Sequence, residues 1–450
     1  MRTVRIGNGC GFWGDSVDAP VRVATAVELD YLTLEYLAEL TMSILALQKE
    51  RNASAGYATD FPPVLYQLAT RLAQMPGGMG RFPRIVTNAG GMNPRACAEK
   101  AREALREAGV SRRFGVVSGD DLLPRIDTLL AAGHALTNLD TGEPFGKVRD
   151  RVVSANAYLG AGPIVDALKQ GAEIVVTGRV ADASLTVGPA VFEMGWAWDD
   201  WNRLAGATVA GHLIECGAQV TGGLWCNWRE VTDWADIGYP YVDLAEDGSL
   251  EIASSNPAAC GVNRETLSEQ LLYEVGDPAR YLTPDVVADF TSIAVAETGQ
   301  RSMRVRSARG LPATDSFKVS IAYRNGFTSS GMLVIAGPDA TAKARLAGEA
   351  LLKRLDYAFE RSNVECIGAG ACAPGVLAGD SPEVVLRVTV YDSRKDMVER
   401  FTKEFAPLVT SGPPGVTGYT TGRPAVREVF AYWPSLLAKS AVHPQVEILV

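Results

Sequence analysis

Short apolar runs alternate with helix-forming stretches through the first half of the chain. This alternation restricts the fold more than any other feature. Residues 4–6, 31–34, 84–87, 114–117 and 174–177 read as buried strands. Residues 20–28, 94–108, 164–170 and 183–194 read as helices, as does the series Leu37, Leu40, Ile44, Leu45 and Leu47 at helical spacing. Asp18 is placed to cap the helix that Pro20 opens, Asn93-Pro94 is a helix-start signature, and Gly109 is a stop. Strand then helix, repeated, predicts an α/β fold with a largely parallel, Rossmann-like open sheet and helices on both faces.

The pattern changes after about residue 285. Residues 290–297, 303–307, 318–323 and 332–336 read as strands, with Asn325-Gly326 as a hairpin signal. A helix over 341–355, a strand over 384–391 and a helix over 395–405 follow. The chain has 450 residues, more than the roughly 250–300 that one core supports. The expected organisation is therefore an α/β ligand-binding domain over 1–285 and a smaller α+β domain over 286–450. The tryptophan-dense stretch 193–201 reads as a connection packed on the domain surface.

Three strand exits carry glycine, asparagine and acids where a plain scaffold carries valine and leucine. They are Gly7-Asn8-Gly9-Cys10-Gly11-Phe12-Trp13-Gly14-Asp15, Val86-Thr87-Asn88-Ala89-Gly90-Gly91-Met92-Asn93-Pro94, and Val175-Val176-Thr177-Gly178-Arg179-Val180-Ala181-Asp182. Ligands of open α/β sheets sit beyond the carboxyl ends of the strands, so the three exits predict one shared small-molecule pocket. Asn8, Gly9, Gly11, Asn88, Gly90, Gly91, Thr177 and Gly178 are candidate substrate contacts, through backbone or amide groups. Arg179 could clamp a carboxylate or phosphate with two parallel hydrogen bonds, or pair with Asp182 to tie the loop. Asp15 and Asp182 are candidate pocket carboxylates.

Gly9-x-Gly11-x-x-Gly14 also matches a dinucleotide fingerprint, with Glu35 where a ribose-binding acid would sit. Asp15, Asp18 and Pro20 push the helix start too late for that match, and Phe12 and Trp13 would crowd a pyrophosphate. Further along, Gly211-His212-Leu213-Ile214-Glu215-Cys216-Gly217 holds one of only three histidines. His212 and Glu215 lie three apart on one helical face and are candidate acid–base groups, with Cys216 a weaker nucleophile candidate.

There is no HExxH, no histidine cluster, no GxxxxGK[ST] and no GxSxG. No metal site is assigned; an all-carboxylate Mg²⁺ site of Asp15, Asp182 and Glu215 has no supporting spacing. A net charge of -9 argues against nucleic-acid and acidic-membrane partners. Seven scattered cysteines without a CxxC pair point to a reducing cytoplasm. No stretch approaches the ~18 apolar residues of a membrane span.

Taken in order, these blocks resemble the acyclic terpene utilisation family, AtuA. The resemblance also takes in Asp30-Tyr31-Leu32, Tyr36-Leu37-Ala38-Glu39-Leu40-Thr41-Met42 and Ala155-Asn156-Ala157-Tyr158-Leu159-Gly160, and so nearly the whole chain. It adds Asn156 to the candidate contacts. Family members belong to bacterial gene clusters that degrade geraniol- and citronellol-like terpenes through coenzyme A thioesters. The resemblance implies an enzyme of terpenoid or branched-chain acid or acyl-CoA catabolism. Longer relatives carry a small ferredoxin-like domain at the C-terminus; here a separate small ferredoxin-like subunit is the corresponding expectation, beside homo-oligomerisation. The expected chemistry is acid–base work next to a carbonyl: hydration, dehydration, isomerisation or carbon–carbon cleavage. The substrate is then a small carboxylate or a CoA thioester, with CoA as carrier and no other cofactor specified; NAD(P) and Mg²⁺ are weaker readings. The alternatives are a non-catalytic subunit that binds acyl-CoA or a partner, and a nucleotide-dependent oxidoreductase.

Overall fold

The strands, in chain order, are β1 (Thr3–Asn8), β2 (Tyr31–Leu34), β3 (Arg84–Thr87), β4 (Phe114–Ser118), β5 (Val152–Ala157), β6 (Ile174–Thr177), β7 (Pro240–Ala245), β8 (Leu250–Ser254), β9 (Tyr281–Leu282), β10 (Val287–Asp289), β11 (Ala294–Gly299), β12 (Ser302–Arg306), β13 (Arg309–Leu311), β14 (Ser316–Ala336), β15 (Arg361–Ile367), β16 (Glu383–Asp392), β17 (Val416–Tyr419), β18 (Arg427–Ala438) and β19 (Gln445–Leu449). This computed structural model describes residues 2–75, 81–299, 301–376 and 379–450. The chain packs into two units, Met1–Ala322 with Tyr432–Val450, and Tyr323–Ala431.

In the first unit a ten-stranded sheet runs in the order β11-β12-β8-β7-β1-β2-β3-β6-β4-β19. The pairs β1–β2, β2–β3, β3–β6 and β6–β4 are parallel. The pairs β1–β7, β7–β8, β8–β12, β12–β11 and β4–β19 are antiparallel. The fold is mixed α/β, and the expectation of a largely parallel sheet is corrected: a parallel centre is flanked by antiparallel strands. The physical difference is written in burial. β2 and β6 are buried at every position, as strands covered on both faces are. In β8, buried Leu250, Ile252 and Ser254 alternate with half-buried Glu251 and Ala253, the pattern of an antiparallel strand with one wetter face.

The helices of this unit are α1 (Ala19–Ala26), α2 (Glu39–Arg51), α3 (Phe61–Ala73), α4 (Pro94–Glu107), α5 (Ile126–Ala131), α6 (Gly162–Lys169), α7 (Ser184–Met194), α8 (Trp201–Ile214) and α9 (Arg264–Leu272). Asn93 caps α4 as expected, its side chain accepting from Ala96 N. Asp18 stands at the cap position of α1 but makes no side-chain cap bond; Pro20 in the first turn starts that helix. Leu32, Leu34, Phe61, Leu65, Ile85 and Phe114 share one buried cluster. In the tryptophan-dense stretch, Trp196 is buried and its Nε1 donates to Glu246 O at 3.0 Å, while Trp198 is exposed. The division expected near residue 285 falls inside this unit, because β11 and β12 join its sheet.

The second unit contains α10 (Ala340–Lys353), α11 (Lys395–Phe401) and α12 (Leu408–Ser411). Its core gathers Leu333, Ile335, Leu351, Leu386, Phe401 and Phe405. β14 pairs with β16 from Phe327 to Ala336. The hairpin expected at Asn325-Gly326 does not form. Both residues lie inside one uninterrupted strand, where Gly326 takes a φ of +79° and the backbone kinks without reversing. Among the described residues, no helix is long and apolar enough to cross a membrane.

Candidate functional site

The β1, β2 and β6 exits converge on a cavity of about 770 Å³ in the first unit. The β1 exit contributes Gly11, Phe12 and Asp15; the β2 exit Glu35, Leu37 and Ala38; the β6 exit Arg179, Ala181 and Asp182. Glu215 and Cys216 enter after α8, Tyr239 lies just before β7, and Tyr273, Glu274, Tyr281 and Thr283 come from the segment around β9. Tyr158 and Lys318 complete the part of the wall that matters here. The volume is that of an ordinary small-molecule site.

Arg179 is the buried centre of this wall. Its Nη2 donates to Asp182 Oδ1 at 2.6 Å, its Nη1 donates to Leu37 O, and Nη1 stands 3.9 Å from Glu35 Oε1. Its guanidinium lies over the Tyr158 ring at 4.1 Å from the centroid. Asp182 thus ties the loop, and α7 is capped one residue later at Ala183. The guanidinium is only 2 % exposed, so it braces the site more than it reaches into it.

Glu35 is the residue the sequence reading used only as a ribose-binding acid. The structure buries it on the cavity wall. Its Oε1 accepts from Leu37 N at 2.8 Å and from Asn88 Nδ2, while Oε2 is buried without a partner. Burial and then the charge of Asp182 push this carboxyl well above the ordinary carboxylate range, against the opposing pull of Arg179, Asn88 and Leu37 N. The available signal was an acid placed directly after the short, mostly apolar strand Tyr31-Leu32-Thr33-Leu34 at a sheet exit.

His212 lies behind the wall, and Glu215 is on it. His212 Nδ1 meets Glu215 Oε1 at 3.1 Å, and Nε2 meets the Gln270 carbonyl at 2.8 Å. A carbonyl only accepts, so Nε2 carries a proton and donates. A proton on Nδ1 as well would make the contact with Glu215 an ion pair. Burial pulls the imidazole pKa down, but the Glu215 hydrogen bond and charge, with the Gln270 carbonyl, outweigh it and leave the value raised. Glu215 Oε2 is buried without a partner. The imidazole packs against Tyr281 and Phe290 at 5.5 and 5.4 Å. Cys216 lines the cavity, but burial and then Glu215 push its thiol well up, which disfavours a thiolate nucleophile.

The remaining candidates divide clearly. Asp15 lines the cavity, yet it accepts from Gly11 N, Ser16 N and the Tyr239 hydroxyl at 2.8, 2.7 and 2.6 Å, so it holds the β1 exit together. Asn8 accepts from Cys10 N at 2.7 Å, Gly9 packs on Pro20, and neither lines the cavity. Asn88 accepts from Tyr36 N at 2.8 Å and reaches the site only through Glu35. Gly90 and Gly91 are buried against Pro94 and Leu45, and Thr177 turns onto the Gly178 carbonyl; none of the three lines the cavity. Asn156 donates to Asp120 Oδ2 at 2.8 Å, which in turn accepts Arg179 N at 2.8 Å. Asp120 was missed by the sequence reading; burial first, opposed by those two donors, pushes its carboxyl up to about 6. The third glycine of the dinucleotide fingerprint, Gly14, lies outside a helix, since α1 starts only at Ala19. Among the described residues, no three of His, Cys, Asp and Glu gather as metal ligands do.

Residues 4–448 match the family described as acyclic terpene utilisation family protein AtuA. The chain belongs to the AtuA family. No curated protein matches it. In this AtuA chain the matched span takes in every residue of the cavity wall.

Proposed function

We propose that this AtuA protein is an enzyme of small-acid or acyl-CoA catabolism that moves protons at a carbon next to a carbonyl. The observation that carries this reading is the Glu215–His212 pair, which presents an unpartnered, buried carboxylate oxygen on the wall of a substrate-sized cavity. A carboxylate backed by an imidazole that itself leans on a backbone carbonyl is oriented for proton abstraction. Glu215 is the base in this reading, and His212 holds it. Arg179 braces the β6 part of the wall through Asp182. Exposed apolar side chains line the cavity, Phe12 at 56 % and Leu224 at 82 % exposed, beside the exposed charged residues Glu274 and Lys318. Phe12 and Leu224 suit the apolar chain of an acyl group while the polar wall takes its carbonyl end.

The test incubates the protein in D₂O with short, branched and terpenoid acyl-CoAs and their free acids, read by mass spectrometry. Deuterium gained beside the carbonyl, or a gain or loss of water, is the expected result for at least one ester or acid. Glu215→Gln should abolish it. Binding without any exchange or mass change across the panel would overturn the reading in favour of a non-catalytic acyl-binding subunit.

A further inference from the structure

We propose that Glu35 is a second proton-moving group of the cavity, a neutral carboxylic acid that donates from Oε2. The inference rests on the acid–base reading above and deepens it.

The hydrogen-bond pattern is lopsided in an informative way. Oε1 takes both donors, Leu37 N and Asn88 Nδ2, and Oε2 takes none. A buried carboxylate spreads its charge over two oxygens and needs donors on both or a cation in direct contact, as His212 can supply to Glu215 at 3.1 Å; Glu35 has neither. A carboxylic acid needs donors only on its carbonyl oxygen, and its hydroxyl waits for an acceptor. Glu35 matches the acid, with Oε1 as the carbonyl oxygen and Oε2 as the hydroxyl. The charge count agrees. Arg179 supplies one positive charge, and Asp182 already meets it at 2.6 Å, while Glu35 stands farther off at 3.9 Å. Ionising Glu35 would set a second negative charge beside Arg179, on a carboxyl that is itself fully buried, and burial opposes that.

The acid completes the chemistry that a base alone cannot. In dehydration of a 3-hydroxyacyl group, Glu215 takes the proton from the carbon beside the carbonyl. The C–H electron pair becomes the new C=C bond, the C–O bond to the hydroxyl breaks, and the Oε2 proton of Glu35 turns the departing hydroxide into water. Glu35 ends ionised and Glu215 protonated, and exchange with solvent restores both. Hydration is the same step reversed. Asn88, which contacts the site only through Glu35, is a positioning residue in this scheme.

Infrared difference spectroscopy at neutral pH tests the protonation without any substrate. The carboxylic-acid C=O band of wild type should lose a component in Glu35→Gln and keep it in Glu215→Gln. Other buried acids, Asp120 and Asp285 among them, contribute equally and cancel. An unchanged band in Glu35→Gln overturns the proposal. If that variant fails to fold, Glu35→Asp serves: a shifted band supports the acid, an unshifted one overturns it. The donor role is read with a 3-hydroxyacyl-CoA in D₂O. Glu35→Gln should lose water elimination by about 100-fold or more while keeping deuterium exchange beside the carbonyl, because general acids contribute about 10²–10⁴. Equal elimination by variant and wild type overturns the donor role. A wild type that exchanges nothing defeats the preceding function, whereas the infrared band still decides Glu35.

Discussion

Gly178 is pressed against the carboxylate of Asp120: a Cβ on Gly178 would lie 2.3 Å from Asp120 Oδ1. The contact sets how closely the β6 exit approaches the end of β4, and it places Arg179 N on Asp120 Oδ2. Gly178→Ala must therefore push the β6 exit away or displace a buried carboxylate. The expected cost is about 1–3 kcal/mol of stability, as for other overpacked interiors. Arg179 should also be misplaced, so urea unfolding and the D₂O exchange assay should both suffer. Unaltered exchange in a folded variant would mean that the position of Arg179 is unimportant.

Asp120 should make the protein more stable in mild acid. Its folded value of about 6 lies above the unfolded aspartate value of about 3.9. Between those values the folded state holds a proton that the unfolded state has released, so stability rises as pH falls through about 6. Replacing Asp120 by Asn removes this linkage. Wild type should gain about 1 kcal/mol relative to Asp120→Asn on going from pH 7 to pH 5, read from urea midpoints. Parallel pH profiles would contradict the burial of an ionisable Asp120.

His212 acts in the same sense over a different pH window. Its folded pKa is raised, so its contribution is fully present below the unfolded value of about 6.5 and is lost as pH rises through the folded value. His212→Asn should be less stable than wild type, with the gap widest below about pH 6.5 and narrowing above it. His212→Ala should cost more, about 2–4 kcal/mol, because it also empties the space against Tyr281 and Phe290.

Cys216 should be slow to alkylate. Its thiol is held up by burial and by Glu215, whereas Cys372 is exposed. Peptide mapping after limited iodoacetamide treatment should find Cys372 modified first. Cys216→Ser should keep the exchange activity; loss of it would return the thiol to the list of reacting groups.

Much of this architecture was legible because its signals are local. The runs Tyr31-Leu32-Thr33-Leu34 and Ile174-Val175-Val176-Thr177 are buried on both faces, and the asparagine–proline start of α4 is a chemical signature within two residues. The Arg179–Asp182 tie and the His212–Glu215 pair were legible for the same reason, being three residues apart. What was hidden depends on partners remote in the chain. Glu35 is defined by Asn88, 53 residues on, and by Arg179. Asp120 is defined by Asn156 and by the backbone of Arg179. Asn325-Gly326 misled because a positive φ at glycine suits a kink inside a strand as well as a hairpin turn, and β16 pairing through Phe327 decides between them.

β19 pairs along β4 from Gln445 to Leu449, and the whole second unit lies between those two strands in the chain. During synthesis the β4 edge therefore stands open until β19, more than three hundred residues later, leaves the ribosome. Trp433, whose Nε1 donates to Leu136 O at 2.9 Å, arrives equally late. An exposed edge of a sheet is a template for unwanted pairing. The nascent chain must keep that edge from its neighbours while some three hundred further residues are made, so the exposure is built into the topology.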